Sequence, residues 1–225
     1  MTDAETRTDY PVTERNRVRR SHERGVYDKD AVYAVLDAAP LCHVGYTIEG
    51  APYVTPTIHW RQGNRLYWHG SSASRFLRAA VEMPVCLTVA MMDGYVMARS
   101  AYNHSVNYRA VMAFGTARKI VGDEENITAL RLLMEGMFPG RWADLRPMTA
   151  QELKATMTLY MDIEEASVKI RTGGPGDQDE ADIPVWAGVI PMRTQLEPAQ
   201  SAPGTPTDRC VPKALDSLIA SGRLR

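Results

Sequence analysis

The chain has 225 residues, 44% of them hydrophobic, which suits one domain with extensions and a substantial core. Its 26 basic and 27 acidic residues leave a formal net charge of −1, so no global field drives it toward nucleic acid or a membrane surface. Three widely spaced cysteines, Cys42, Cys86 and Cys210, form no Cys-x-x-Cys pair, which argues against a zinc framework or a disulfide scaffold, and the apolar runs around Cys42 and Cys86 suit buried thiols in a reducing compartment.

Residues 1–24 are polar and are expected to form an extended or disordered arm. Its start lacks the apolar core of a signal peptide, and no apolar run in the chain is long enough to span a bilayer, so a cytoplasmic protein is expected. Arg15, Arg17, Arg19, Arg20 and Arg24 are interrupted by acidic residues and lack interleaved aromatics, which suits a solvated arm on a partner subunit better than a nucleic-acid arm. Asp28 reads as the cap of a helix to residue 39, with Val32, Val35 and Leu36 on its buried stripe. Strands are expected at 41–48, 52–60 and 66–70, joined by turns at Glu49-Gly50 and Gln62-Gly63-Asn64. A helix follows from Ser74 to about Val81. The continuous apolar run 85–92 predicts a strand buried on both faces, turned by Asp93-Gly94 into a further strand at 95–98.

A strand or bent strand is expected within 106–121, with Gly115 as a bulge or a point of close approach. Asp123 reads as the cap of a helix to about Phe138 with Leu130, Leu133 and Met134 inward. A short helix at 149–155 precedes strands at 156–163 and 166–171. Residues 173–182 form a Gly/Pro-rich loop, 184–191 return to strand character, and a polar, Pro-rich linker leads to a terminal helix within 212–224. The division is therefore an arm (1–24), one domain (25–192) and a linker with a short helix (193–225). Strands separated by tight turns, rather than alternating with helices, imply an α+β fold built on a small antiparallel barrel.

The segment from Leu66 to Phe76 carries the strongest chemical signal. An aromatic strand ends in Gly70, three hydroxyls follow at Ser71, Ser72 and Ser74, and Arg75 opens a helix. Backbone amides at such a helix start, hydroxyl donors and a planar cation together suit a phosphate group. It is neither a Walker loop nor a Rossmann turn, because both glycine spacings are missing. The plainer alternative is that Ser71 or Ser72 only caps a surface helix.

The ordered set Tyr27-Asp28, Cys42-His43-Val44, Pro52-Tyr53-Val54-Thr55-Pro56, Leu66-Tyr67-Trp68-His69-Gly70 with Ser74-Arg75, Ser105-Val106-Asn107-Tyr108-Arg109 with Phe114-Gly115, and Pro184-Val185-Trp186-Ala187-Gly188 resembles the pyridoxamine 5′-phosphate oxidase-like, FMN-binding split-barrel proteins. The branch with the nitroimidazole-resistance proteins is the most similar. The resemblance spans about residues 25–192 and departs in having Arg75 where lysine is common, and in its longer tail. It implies a six-stranded antiparallel split β-barrel, a homodimer, and FMN in grooves at the subunit interface.

On that resemblance, Ser71, Ser72, Ser74 and Arg75 would hold the phosphate, and Val54, Thr55, Pro56 and Thr57 would line the isoalloxazine, with Pro56 marking a strand edge or bulge. Tyr67 and His69 would face the flavin, His69 as the catalytic contact. Arg109, helped by Asn107 and Tyr108, would tune the flavin's N1 edge, and Trp186 would wall the ring from the partner chain. Arg109 has a plainer alternative, an ion pair with Glu82 or Asp93. His43 and His59 fit barrel core, and the histidines show no helical pairing that would suggest a metal site. The implied activity is flavin-mediated hydride or electron transfer to a small, oxidised, nitroaromatic-type substrate. A non-catalytic flavin carrier, a haem-binding split barrel with His69 or His104 as axial ligand, and a deazaflavin in place of FMN are the competing readings.

Overall fold

The computed structural model describes residues 8–206 and 211–221, so Cys210 lies outside the described residues. From Thr8 onward the arm packs on its own body. Tyr10 is buried, its hydroxyl donates to Asn64 Oδ1 at 2.5 Å, and the buried Asn16 donates Nδ2–H to Ala166 O at 3.1 Å. Arg15 pairs with Glu165 at 2.7 Å rather than standing in solvent.

Helix α1 (Lys29–Asp37) begins where expected, with Asp28 accepting from the Ala31 amide and Val32, Val35 and Leu36 buried. Strands β2 (Leu41–Ile48) and β3 (Ala51–Gln62) form a hairpin, and β4 (Arg65–Ser71) returns along the second half of β3. Helix α2 (Arg75–Ala80) leads to β5 (Pro84–Met97) and β6 (Ser105–Thr116), which pair along most of their length. The short β7 (Arg118–Lys119) precedes α3 (Asp123–Met137). Its cap is Gly122, at φ 97°, and Asp123 is the first helical residue, where its charge complements the helix dipole. Helix α4 (Ala150–Ala155) carries a full capping box between Thr149 and Glu152. The chain closes with β8 (Thr156–Asp162), β9 (Glu165–Arg171), β10 (Gly188–Pro191) and α5 (Lys213–Ser221), while β1 (Gly25–Val26) pairs with β9.

Every pairing is antiparallel, and with few helices this is an α+β fold. The expected six-stranded split β-barrel is met only in its antiparallel, α+β character, and the strand count and connectivity differ. Among the described residues ten strands make one open path, β1-β9-β6-β5-β2-β3-β4-β8-β7, with β10 added to β5. The sheet folds over a single main core that takes Val44 and Cys42 from β2, Trp68 from β4, Leu87 and Val89 from β5, Leu159 and Met161 from β8, and α1 and α2 from its margins. Full burial contributes roughly 1.5–3 kcal/mol for each such large apolar side chain. A second cluster lies between α3 and the other face of β3 and β4, built from Trp60, Tyr67, Ile120, Ala129, Leu130 and Leu133.

Two expectations for β5 change. Asp93-Gly94 is not a turn: β5 runs on as one 14-residue strand with a register shift between Met92 and Gly94. Nor is β5 buried on both faces, because its burial alternates and only one face meets the core. Gly115 is a close approach, since a Cβ there would collide with Asp162 O. His59 is core and His43 is exposed, so only one of that pair fits the barrel interior. Residues 184–187 are not strand. Among the described residues no helix is long and apolar enough to cross a membrane.

Candidate functional site

The strand-to-helix turn from β4 into α2 spends several of its own amides. Ser72 N–H donates to Ala155 O at 2.8 Å, Ala73 N–H to Ser71 Oγ at 3.2 Å, and Ser74 N–H to Ser71 O at 2.9 Å. Ser74, not Ser71 or Ser72, is the N-cap, accepting from Leu77 N–H at 3.4 Å. Arg78 Nε–H donates to Ser72 O at 2.8 Å and fixes the loop from behind. With α2 only six residues long, its dipole is weak, and the turn's affinity for an anion rests on what remains: the serine hydroxyls, the first helical amides and Arg75.

Arg75 is exposed and has no carboxylate partner among the described residues. Its guanidinium lies 5.2 Å from the centroid of the Tyr53 ring, a cation–π support. Tyr53 stacks on Tyr46 at 5.7 Å, Tyr46 meets Phe76 at 4.8 Å, and the Tyr46 hydroxyl and Thr55 Oγ1 are 3.1 Å apart. One aromatic bed thus joins Arg75 to the β3 segment Val54–Thr57, and the phosphate and isoalloxazine candidates share a neighbourhood.

That segment is an open edge. Residues 51–58 of β3 pair only with β2, because β4 pairs with residues 59–62. His59 N–H donates to Pro40 O at 2.9 Å, so odd-numbered residues point their backbone groups at β2 and even-numbered ones point theirs at the open edge. Pro56 therefore sits where a missing N–H leaves no ladder bond unmade, in unbroken register with His43, and forms an edge rather than a bulge. The amides of Val54 and Ile58 are the donors this edge offers.

Tyr67 and His69 alternate with core residues of β4 and lie on the face under α3. Tyr67 is buried and stacks on Trp60 at 5.6 Å; His69 is half-buried with its ring edge-on to Trp60 at 5.7 Å. Thr158 of β8 stands directly opposite His69. Trp60 Nε1, His69 Nδ1 and Thr158 Oγ1 are all enclosed without a hydrogen-bond partner. Burial lowers the His69 pKa below its usual value, so the ring is neutral near pH 7 and offers one donor and one acceptor.

Asn107, Tyr108, Arg109 and Trp186 are not brought to the turn within one chain. Asn107 is buried and anchors the following loop, donating Nδ2–H to Gly173 O at 3.1 Å and accepting from Arg171 at 2.6 Å. Tyr108 faces Met92 and Arg171 in the sheet. Arg109 forms a two-point ion pair with Asp93 at 2.9 and 2.7 Å, the plainer of its two alternatives, which offsets its charge. Trp186 is 65% exposed at the end of the sheet where β10 joins β5. Arg78 and Thr158 support the site without a sequence motif of their own, since each acts through a loop or cross-strand position. Among the described residues no group of three or more His, Cys, Asp or Glu side chains is placed to hold a metal ion.

Residues 28–170 match the family model described as pyridoxamine 5′-phosphate oxidase. No curated protein matches the chain. Among solved structures, the flavocytochrome Anf3 from Azotobacter vinelandii is 44% identical, with a TM-score of 0.87 over 95% of this chain and 98% of that one. An FAD and heme binding protein from Mycobacterium smegmatis is 34% identical, with a TM-score of 0.84 over 90% of this chain and 99% of that one. A putative 5-nitroimidazole antibiotic resistance protein from Bacteroides thetaiotaomicron shares the fold at 21% identity and a TM-score of 0.54, over 65% of this chain and 86% of that one.

Proposed function

Because the chain belongs to the pyridoxamine 5′-phosphate oxidase family, we propose that it is a flavin-dependent redox protein that also carries haem. The observation that carries this reading is its full-length likeness to a flavocytochrome and to an FAD and heme binding protein, at 44% and 34% identity. The unpaired Arg75, the serine hydroxyls and the open edge of β3 supply what a flavin phosphate and ring need from a protein. FAD is favoured over FMN by the M. smegmatis likeness, and the turn serves either, because both flavins carry the same first phosphate.

A flavin accepts or gives two electrons with hydride, and a haem iron one at a time, so a protein holding both can couple the two kinds of donor and acceptor. In this reading Arg75 orients the phosphate and neutral His69 contacts the flavin or a small oxidised acceptor. A nitroaromatic acceptor is the narrower form of the same proposal. The protein acts as a homodimer in which the open edge of β3 is covered by a second copy. Its free, buried Cys42, whose pKa burial pushes up to about 12, suits a reducing compartment such as the cytoplasm.

The test is the absorption spectrum of the purified protein with mass analysis of the cofactors released by acid. Bound flavin together with a haem Soret band is the expected result. A colourless protein that takes up neither FAD nor FMN on titration would overturn the reading, and the released mass separates FAD, FMN and a deazaflavin.

A further inference from the structure

We propose that the cleft between the end of β9 and the segment leading into β1 binds a small anion through a planar pair of charged oxygens, a carboxylate or a phosphate, held by Arg171 with Arg24 beside it. Along the sheet, β6, β5, β2 and β3 separate β9 from β4, which carries the serine–arginine turn. The site stands whether or not that turn takes a flavin.

Strand pairing builds the cleft. Gly25 of β1 stands against Lys169 of β9 and Val26 against Val168, so Arg24, one residue earlier, arrives beside the last residues of β9. The cleft holds about 510 Å³ and is lined by Glu23 and Arg24 on the β1 side and by Arg171, Thr172 and Gln178 on the β9 side. That volume suits a small molecule, since ligand pockets run about 300–1,000 Å³. The loop over it is pinned at two points. Buried Asp177 accepts from the Arg99 backbone amide, and buried Asn107 donates Nδ2–H to Gly173 O at 3.1 Å.

Arg171 supplies the recognition. Its Nη1 donates to Asn107 Oδ1 at 2.6 Å and its Nη2 to Gly174 O at 3.1 Å. Both acceptors are neutral, and among the described residues no carboxylate pairs with it and no acceptor meets its Nε–H. Nε–H and the remaining Nη2–H form the side edge of the fork, which fits two oxygens of a carboxylate or phosphate. This chain fills the same edge elsewhere from within. Arg65 gives Nε and Nη2 to Asp162 at 2.7 and 3.2 Å, and Arg109 gives them to Asp93 at 2.9 and 2.7 Å. At Arg171 the edge borders a cleft instead. Because Asn107 already orients the fork, a ligand pays little ordering entropy to meet it. Arg24 adds a second cation, partly offset by Glu23 at 3.4 Å, so the lining keeps a net positive charge. The Thr172 hydroxyl and the Gln178 amide are neutral donors for further oxygens.

The experiment is isothermal titration calorimetry on the full-length protein as purified, with succinate and inorganic phosphate as separate probes at constant chloride. At least one probe should bind saturably, once per chain, and the arm that binds tells carboxylate from phosphate. Arg171→Gln should weaken that binding at least ~10-fold, Arg24→Gln by less, and Arg75→Ala not at all. Arg171→Lys keeps the charge without the fork and should restore only part of the affinity. Melting temperatures are read on every variant, because Arg171 also ties the loop. If Arg171→Gln melts well below the wild type, Arg171→Lys and Arg24→Gln decide, and wild-type affinity in both overturns the proposal. So does a wild type that binds neither probe, wild-type affinity in a folded Arg171→Gln, or binding that Arg75→Ala abolishes, which would move the anion to the serine–arginine turn. Binding that appears only after bound cofactors are stripped would give the cleft to a cofactor and overturn it too.

Discussion

At the scale of single residues, the site depends on one cation and one neutral histidine. Arg75 rests on Tyr53 without a carboxylate to neutralise it, so its whole charge is available to a phosphate. Arg75→Ala should weaken flavin binding by about 1.5–3 kcal/mol, the usual worth of a charge-assisted hydrogen bond, and Arg75→Lys by less. Flavin titration followed by fluorescence measures this, and an unchanged dissociation constant in the alanine variant would remove Arg75 from the site. His59 and His69 both have pKa values lowered by burial, so folding holds them neutral while the unfolded chain protonates below about pH 6.5. Their contribution is intact above that pH and is lost as the pH falls toward the folded values. For the nearly fully buried His59 the slope approaches about 1.4 kcal/mol per pH unit, one proton's worth. The carboxylates with resolved shifts, Glu152 and Glu165, are lowered by their arginine partners and titrate further into acid. Urea midpoints should therefore drop between pH 7 and 5.5, and His59→Gln should flatten the drop. A flat midpoint in the wild type over that range would refute the linkage.

At the scale of elements, what was legible in the sequence is what short-range chemistry decides. The Asp28 cap, the buried stripe of α1 and the Thr149–Glu152 box are all local, and each stands where the residue types put it. The serine–arginine turn was legible as a turn, yet its wiring was not, because Ala155 and Arg78 engage it from outside the motif. Asp93-Gly94 reads as a turn in isolation. The strand continues because both flanks stay paired with β6 while β10 adds on the other side, so close that a Cβ at Gly94 would meet Ile190 O at 2.8 Å. Tertiary pairing overrides the turn preference there. The apolar run of β5 could not reveal that one of its faces lies open, since composition records hydrophobicity and not what covers it. The same limit hid Tyr10, whose partner Asn64 is far away in sequence.

At the scale of the molecule, the uncovered face is the dominant feature. The register sets Pro56, His43, Thr88 and Met112 in one row across β3, β2, β5 and β6, with Ile58 and Leu41 in a parallel row, and Ala90 and Val54 extend the same surface. Leu41, Val54, Ile58 and Met112 are all exposed, and apolar side chains gathered in this way on one sheet face mark an interaction surface. The open edge of β3 that offers amides to a flavin borders the same face, so a second copy seated there would bury the apolar rows and close the flavin groove together. Assembly and cofactor retention should then fail together. A charge placed at Met112 lies away from the proposed flavin contacts and would have to be buried unpaired in the dimer. Met112→Glu should weaken dimerisation at least ~100-fold, about 2.7 kcal/mol, and lower flavin occupancy as the monomer accumulates, with far-UV circular dichroism unchanged. Light scattering and flavin content across a dilution series read both quantities on one sample. A wild-type monomer that holds flavin tightly, or a Met112→Glu variant as dimeric as the wild type, would show that this face is not where two copies meet.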